Sequence, residues 1–162
     1  MKQENINIFY DTFEAIAELS DVEKQLCQRA EEALQFSYSP YSKFRVGTAV
    51  LLDNGKLVSG SNQENAAYPS GLCAERVALF HIGATYPNAI IEAMAITAHT
   101  DQFSLTQPVT SCGACLQVMA EYEKRQGKPI TVLFYCLGGR IIKVKGIHQL
   151  LPFAFVENRL GA

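Results

Sequence analysis

The chain has 162 residues, a length that fits one domain with one sizeable hydrophobic core. Lys and Arg number 14 against 16 Asp and Glu, which gives a formal net charge of −2. This balance, without any run of basic residues, argues against a nucleic-acid-binding surface and favours a small neutral or cationic substrate.

The first predicted element is a helix that begins at a capping box, Ser20-Asp21-Val22-Glu23. Apolar residues follow at helical spacing to about Phe36. This predicted buried face consists of Val22, Leu26, Ala30, Ala33 and Leu34. Two strands come next, Val46 to Leu52 and Leu57 to Ser61, and Asp53-Asn54-Gly55 between them is typical of a hairpin turn.

Helices and strands then alternate along the rest of the chain. A second helix has Ala74, Val77, Ala78 and Ile82 on one face and is expected to end at Gly83. The remaining elements are a strand from Ile90 to Thr97, a helix from about Cys112 to Lys124, strands from Ile130 to Cys136 and Arg140 to Val144, and a short helix near His148 to Leu151. This order predicts an α/β fold with at least one parallel strand pair beside the hairpin. Alternation of Ile6, Ile8 and Tyr10 leaves an additional edge strand open.

Neither a secretory signal nor a membrane span is expected. Met1 to Asp11 lacks an apolar stretch of signal-peptide length, and the longest apolar runs, such as Ile130 to Leu137, are too short for a bilayer. We therefore expect a cytoplasmic protein with no membrane partner. Its five cysteines are then more often core, catalytic or metal-binding residues than disulfides, and for Cys27 and Cys136 a core position is favoured.

Two short motifs carry the chemistry, Cys73-Ala74-Glu75-Arg76 and Cys112-Gly113-Ala114-Cys115, and each opens a predicted helix. The start of a helix stabilises a thiolate, and thiolates bind zinc in tetrahedral geometry. Three cysteines leave the fourth position to water, which is the arrangement of a catalytic site. Glu75 could move protons between that water and a substrate nitrogen, and Cys₃ ligation with a non-ligating Glu is the known pattern of zinc deaminases.

With these motifs the chain resembles the small homotetrameric zinc-dependent cytidine deaminases. Further stretches that carry the resemblance are Tyr41-Ser42-Lys43-Phe44 with Val46-Gly47, Asn62-Gln63-Glu64-Asn65-Ala66-Ala67-Tyr68, and Leu150-Leu151-Pro152 with Phe155. The resemblance implies a three-layer α/β/α fold around a five-stranded mixed sheet. It also implies a single domain over residues 1–162, of which residues 1–19 form an N-terminal extension.

The resemblance further implies roles for individual residues. Cys73, Cys112 and Cys115 would hold one zinc ion per chain, and Glu75 would be the proton shuttle. Asn62 and Glu64 would hydrogen-bond the ribose hydroxyls, Phe44 would pack beside the nucleoside, and Phe155 would stack on the pyrimidine from a neighbouring subunit. The implied function is hydrolytic deamination of cytidine and deoxycytidine to uridine and deoxyuridine with release of ammonia, in pyrimidine salvage, by a homotetramer with shared active sites.

Two positions depart from the family pattern, and both lie beside zinc ligands. Ser111 stands where the family usually has proline, and Leu116 stands where it often has arginine. Arg76 is then the only cation close to a ligand in sequence, which makes it the expected charge partner of the thiolates.

Three other functions remain open from the sequence. A deaminase of another cytosine nucleoside, such as the blasticidin type, is the nearest of them. A nucleic-acid-editing deaminase is disfavoured by the net charge. A non-catalytic zinc module would need a fourth protein ligand and would leave Glu75 without a role.

Overall fold

A computed structural model, which describes residues 1–157, contains one mixed sheet and three helices. The strands are β1 (Asp11–Phe13), β2 (Phe44–Leu52), β3 (Leu57–Ser61), β4 (Ile91–Thr100), β5 (Thr131–Tyr135) and β6 (Ile141–Lys145). The helices are α1 (Asp21–Ala33), α2 (Ala74–Thr85) and α3 (Gly113–Gln126), and the predicted last helix is a short 3-10 turn, Ile147–Gln149. The last five residues of the predicted domain, 158–162, lie outside the described residues.

The strand order across the sheet is β1-β6-β5-β4-β2-β3. β4 and β5 are parallel and every other neighbouring pair is antiparallel, so the predicted parallel pair is confirmed beside the β2–β3 hairpin. α3 supplies the crossover that a parallel pair needs. The alternating side chains of β2, β4 and β5 then face opposite sides of the sheet.

Two separate apolar clusters cover the two faces of the sheet, which gives the three layers that the resemblance implied. One cluster packs α1 against alternate strand residues, including Leu26, Ala49, Ala95 and Leu133. The other packs α2 and α3 against the intervening residues, including Leu79, Val50, Met94 and Phe134. Cys27 and Cys136 are buried thiols, as expected.

The sheet has six strands, so the expected number of five is wrong by one. The additional strand β1 belongs to the segment before Ser20 and pairs antiparallel with β6, from Asp11 opposite Lys143 to Phe13 opposite Ile141. The alternating residues Ile6, Ile8 and Tyr10 are exposed and lie outside the strand. Just before β1 the backbone N–H of Phe9 donates to Gln149 rather than to β6, so the chain has not yet reached the sheet edge.

Two local predictions on the helices also need correction. Val22 is 53% exposed, because Leu19, just before the capping box, packs into the α1 cluster at the start of the helix. Gly83 does not end α2, which continues to Thr85. A Cβ at Gly83 would lie 2.5 Å from the Tyr122 hydroxyl, so the glycine permits close packing of α2 against α3.

Within residues 1–157, no helix has both the length and the apolar character that crossing a membrane requires.

Candidate active site

Three thiols meet where α2 and α3 begin side by side. Cys73 is the N-cap residue of α2, Cys112 is the N-cap residue of α3, and Cys115 lies in the first turn of α3. The start of α2 rests directly on β3, because a Cβ at Gly60 would lie 2.4 Å from the carbonyl oxygen of Ala74. A glycine is therefore required at position 60 for α2 to lie this close to the sheet.

The three sulfur atoms form a compact donor set. Cys112 Sγ lies 3.5 Å from Cys115 Sγ and 4.0 Å from Cys73 Sγ, and all three atoms lie within 4.8 Å of one another. Within residues 1–157 no fourth His, Cys, Asp or Glu joins this group. Three soft thiol donors at these separations fit a tetrahedral zinc ion with one position left for a non-protein ligand.

The pKa values of two of the thiols are shifted by contacts within the group. The pKa of Cys73 is lowered to about 5 by hydrogen bonds from the Cys115 thiol, from Arg76 and from Cys112. The pKa of Cys115 is raised because its thiol donates to Cys73 and because it is buried. These contacts favour the thiolate form of Cys73, which is the form that binds a metal ion.

Glu75 lies in the first turn of α2 and is only 4% exposed. Its carboxylate accepts a hydrogen bond of 2.7 Å from the Ser111 hydroxyl, and its negative charge contributes to the raised pKa of Cys115. The carboxylate is therefore adjacent to the sulfur group and shielded from bulk water. In this position it could exchange a proton with a molecule held beside the thiols.

Arg76 is the cation beside the sulfur group. Its Nη2 donates to Cys73 Sγ at 3.7 Å, and its own pKa is raised, chiefly by this contact. Leu116, where the family often has arginine, is buried in the α2–α3 cluster and contributes packing rather than charge. The structure thus places Arg76 where the sequence analysis expected a thiolate partner.

A cavity of about 660 Å³ opens onto the sulfur group and is large enough for a nucleoside-sized molecule. Its walls include Cys73, Glu75 and Cys112, and also Asn62 and Glu64. The structure therefore brings both expected sugar-binding residues into the same cavity as the sulfur group.

Asn62 is held in place by three hydrogen bonds. Its Oδ1 accepts from the Ser37 hydroxyl at 2.5 Å and from the Val46 N–H at 2.8 Å, and its Nδ2 donates to the Phe44 carbonyl at 2.9 Å. These contacts hold the first residues of β2 in place. The Asn62 amide has two N–H groups and only one of them donates in these contacts, so the other could donate to a ligand in the cavity.

Glu64 anchors the loop before β2. One carboxylate oxygen accepts from the Tyr41 and Ser42 N–H groups, and the other accepts from the Ser42 hydroxyl. Desolvation acts to raise the pKa of Glu64, but these hydrogen bonds outweigh it and lower the pKa overall. Glu64 is therefore ionised at neutral pH, and a sugar hydroxyl could donate to a remaining lone pair.

The two aromatic residues expected at the substrate do not line this cavity. Phe44 is half-buried at the start of β2, with its ring centroid 6.4 Å from that of Phe103. Phe155 is 71% exposed, and Gln117 of α3 bonds both its N–H and its carbonyl. The Phe155 ring is thus presented on the surface of its own chain.

The sequence analysis missed three residues at the site. Tyr41 and Tyr68 line the cavity and form an edge-to-face pair with ring centroids 6.3 Å apart. The sequence could have indicated both tyrosines, since they lie within the motifs that carried the resemblance. The bond of Ser111 to Glu75 had no sequence signal beyond the departure from proline, because its partner lies 36 residues away.

Comparison with known proteins gives consistent results. Residues 20–127 match the family model for the cytidine and deoxycytidylate deaminase zinc-binding region. The chain is 39% identical over 138 residues to a cytidine deaminase of Halalkalibacterium halodurans, covering 85% of this chain and 97% of that protein. It is 41% identical over 141 residues to a cytidine deaminase of Sporosarcina psychrophila, covering 87% and 96%.

The fold comparison agrees with the sequence comparison. A crystal structure of cytidine deaminase from Burkholderia pseudomallei superimposes with a TM-score of 0.70 at 34% identity, covering 81% of this chain and 97% of that one. A crystal structure of cytidine deaminase from Mycobacterium tuberculosis gives a TM-score of 0.65 at 28% identity. The chain therefore belongs to the cytidine and deoxycytidylate deaminase family with a zinc-binding region, as the resemblance predicted.

Proposed function

We propose that this chain catalyses the hydrolytic deamination of cytidine and deoxycytidine to the corresponding uridines, with release of ammonia. The observation that carries the proposal is the buried carboxylate of Glu75 beside three clustered thiols, in the wall of a nucleoside-sized cavity. The relatives named as cytidine deaminases, of which the chain covers nearly the whole length, support the same substrate.

We propose that Cys73, Cys112 and Cys115 hold one zinc ion per chain. The donor set fits this metal because thiolates are soft ligands and three of them leave one position open. A zinc ion in such a site supplies a Lewis acid that makes water a nucleophile near neutral pH.

Residues of the chain itself transfer the protons and offset the negative charge. Glu75 takes a proton from the attacking water and delivers it to the pyrimidine N3. It then takes the proton of the new C4 hydroxyl and delivers it to the departing amine, so that C4 becomes a carbonyl and ammonia leaves. Burial of Glu75 keeps bulk water from competing for these protons. Arg76, at Cys73, offsets part of the negative charge of the thiolates.

Sugar recognition is assigned to Asn62 and Glu64, which line the same cavity as Glu75. Asn62 has a free amide N–H for a ribose oxygen, and the ionised Glu64 accepts from a ribose hydroxyl. Both side chains are pre-organised by contacts to the loop and the first residues of β2. Pre-organised polar groups reject a ligand that lacks their partners, so free cytosine should be a poor substrate.

Three further points stay predictions. The protein acts as a homotetramer with shared sites, Phe155 stacks on a pyrimidine in a neighbouring subunit, and Phe44 packs beside the nucleoside. The exposed ring of Phe155 supports the second of these, because it is available to another chain. A cytoplasmic location is likewise expected.

The direct test follows the loss of cytosine absorbance when purified, zinc-loaded protein is incubated with cytidine, deoxycytidine, cytosine or blasticidin S. We expect turnover of the two nucleosides and little of cytosine. Turnover of blasticidin S alone would favour the blasticidin-type alternative. Equal kcat/KM for cytosine and cytidine would contradict the assignment of Asn62 and Glu64.

Glu75→Gln tests the proton-transfer role within the same assay. The variant should keep one zinc per chain and lose at least about 10²–10⁴-fold in kcat, the range typical of a general acid–base residue. Glu18→Gln, at an exposed carboxylate outside the cavity, serves as the matched control. A Glu75→Gln protein with nearly normal turnover would remove Glu75 from the mechanism.

A further inference from the structure

One hydrogen bond at the site lies outside the metal and sugar contacts. The Ser111 hydroxyl donates to Glu75 Oε1 at 2.7 Å. Ser111 immediately precedes Cys112, the N-cap residue of α3, whereas Glu75 lies in the first turn of α2. The contact therefore joins the two helix starts beside the sulfur group through a side chain that binds no metal.

This bond determines which carboxylate oxygen is available for chemistry. Glu75 is buried, and among residues 1–157 its carboxylate has no other hydrogen-bond partner. With Oε1 held by Ser111, the orientation of the carboxylate is restricted and Oε2 is the uncommitted oxygen. A group that must receive and deliver protons at defined atoms depends on such orientation, since reactivity falls steeply with misplacement.

We propose that Ser111 is a positioning residue that fixes the Glu75 carboxylate for proton transfer. The inference rests on the proposed role of Glu75. A serine hydroxyl is suited to this task because it donates to an ionised carboxylate and accepts from a protonated one. It keeps its own proton throughout and only rotates, while the transferred proton passes from water to Glu75 and then to the pyrimidine.

Proline, the residue usual in the family at this position, has no side-chain donor. The contact is therefore a property of this chain and not of the shared pattern. It is also distinct from the ligand set, because loss of a hydroxyl at position 111 removes no sulfur atom. A positioning role thus predicts a defect in turnover without a defect in zinc content.

The experiment compares Ser111→Ala, Ser111→Thr and Ser111→Pro with wild type, with Ser104→Ala as a matched hydroxyl deletion at an exposed site of the same loop. The measurements are kcat and KM for cytidine, zinc per chain, and the dissociation constants of uridine and of tetrahydrouridine. The last compound carries a hydroxyl on a tetrahedral C4, so it resembles the transition state and should depend on Glu75 more than uridine does.

We expect Ser111→Ala and Ser111→Pro to lower kcat about tenfold, which corresponds to one charge-assisted hydrogen bond of about 1.4 kcal/mol. Tetrahydrouridine should bind about tenfold more weakly by the same reasoning, whereas KM, uridine binding and zinc content should stay unchanged. Ser111→Thr, which keeps the hydroxyl, should recover most of the loss, and Ser104→Ala should match wild type.

Three results would overturn the inference: normal kcat and tetrahydrouridine affinity in Ser111→Ala, a loss that Ser111→Thr does not recover, or a loss that merely follows zinc content. Glu75→Gln, measured in parallel, separates this failure from that of the proposed function. If Glu75→Gln is inactive while Ser111→Ala is normal, only the role of Ser111 fails. If Glu75→Gln remains active, the proposed role of Glu75 fails as well.

Discussion

At the scale of single residues, the site must balance negative charge with few cations. Three thiolates and one Zn²⁺ carry a formal charge of −1, and a further negative charge forms when the attacking water is ionised. Two helix N-termini, at Cys73 and Cys112, offset part of this charge. Arg76 supplies a full positive charge at Cys73, and Leu116 adds none.

Arg76→Gln should therefore weaken zinc binding by about 10–100-fold, as is typical when a partner of a metal ligand is lost. The pKa of Cys73 is low because of the Cys115 thiol first and Arg76 next, so removal of Arg76 raises it. A proton then competes better with zinc, and the loss of affinity should grow as the pH is lowered.

This change is measured by competition with a chelator at several pH values. Arg29→Gln, which removes an exposed arginine paired with Glu32 on α1, is the control. Equal zinc affinity in wild type and Arg76→Gln at every pH would mean that the helix N-termini balance the thiolates without Arg76.

The sequence predicted some residues of the site better than others, for a physical reason. Cys73 with Glu75, and Cys112 with Cys115, could be found because each pair lies within one turn of a helix start, so spacing places its two members together. The two pairs are 39 residues apart, and the resemblance implied that they meet. Asn62 bonds Val46 and Ser37, which lie 16 and 25 residues away. Such contacts depend on the tertiary fold, and no local pattern could have shown that Asn62 holds the first residues of β2 in place.

At the scale of elements, local signals specified the helix starts and tertiary packing determined the rest. The Ser20–Glu23 capping box is present as predicted, because its hydrogen bonds are made within four residues. By contrast, Gly83 looked like the end of a helix and proved to be a contact point between helices. The pairing of β1 with β6 was equally invisible, since edge pairing depends on where the segment lies in space.

Gly83→Ala should destabilise the protein by about 1–3 kcal/mol, the usual cost of an added methyl group in a packed region. The new Cβ would meet the Tyr122 hydroxyl, which donates to the Leu79 carbonyl at 2.5 Å. Urea unfolding of Gly83→Ala, Tyr122→Phe and the double variant measures the coupling. We expect Tyr122→Phe to reduce the cost of Gly83→Ala, and strictly additive effects would show that the two residues do not clash.

The start of α1 is tied to the sheet by an ion pair, and its contribution to stability should depend on pH. Glu23 lies 2.6 Å from Lys143 on β6. Burial acts to raise the pKa of Glu23, but the bonds from Lys143 and Ser20 lower it overall. A carboxylate with a lowered folded-state pKa stabilises the fold above its unfolded pKa of about 4.3, and this contribution is lost as the pH falls through the folded value.

Glu23→Gln keeps the capping geometry and removes the charge, so it isolates this contribution. The free energy of unfolding should be lower than in wild type by about 1 kcal/mol at pH 7. The difference should shrink below pH about 4.3 and disappear as the pH falls through the lowered folded-state pKa of Glu23. Glu32→Gln, from the exposed pair with Arg29, should show little difference at either pH. A difference between Glu23→Gln and wild type that is the same at pH 7 and at acid pH would contradict the assignment.

At the scale of the whole molecule, the exposed ring of Phe155 is available for a contact with another chain. The tail that carries Phe155 is not loosely placed, because Gln117 bonds both backbone groups of Phe155 at 2.8 and 2.9 Å. Yet the ring is largely exposed and does not line the cavity of its own chain. A rigidly held, exposed aromatic ring is better suited to a neighbouring chain than to a flexible rearrangement within this one.

If Phe155 completes the site of a neighbour, a variant that binds nucleoside weakly and a variant that lacks turnover should complement each other in mixed oligomers. Phe155→Ala alone should weaken nucleoside binding by about 1–3 kcal/mol, the usual contribution of one base–aromatic stack, and Glu75→Gln alone should abolish turnover. In a mixture that has been dissociated and reassembled, some cavities combine Glu75 of one chain with Phe155 of another. Those cavities are intact, so activity at low cytidine concentration should exceed the sum of the two separate preparations.

Sedimentation must show that the mixed species are oligomers, and mixing without reassembly gives the baseline. If the reassembled mixture shows only the summed activity although mixed oligomers have formed, Phe155 acts within its own chain or not at all, and the shared-site prediction is wrong.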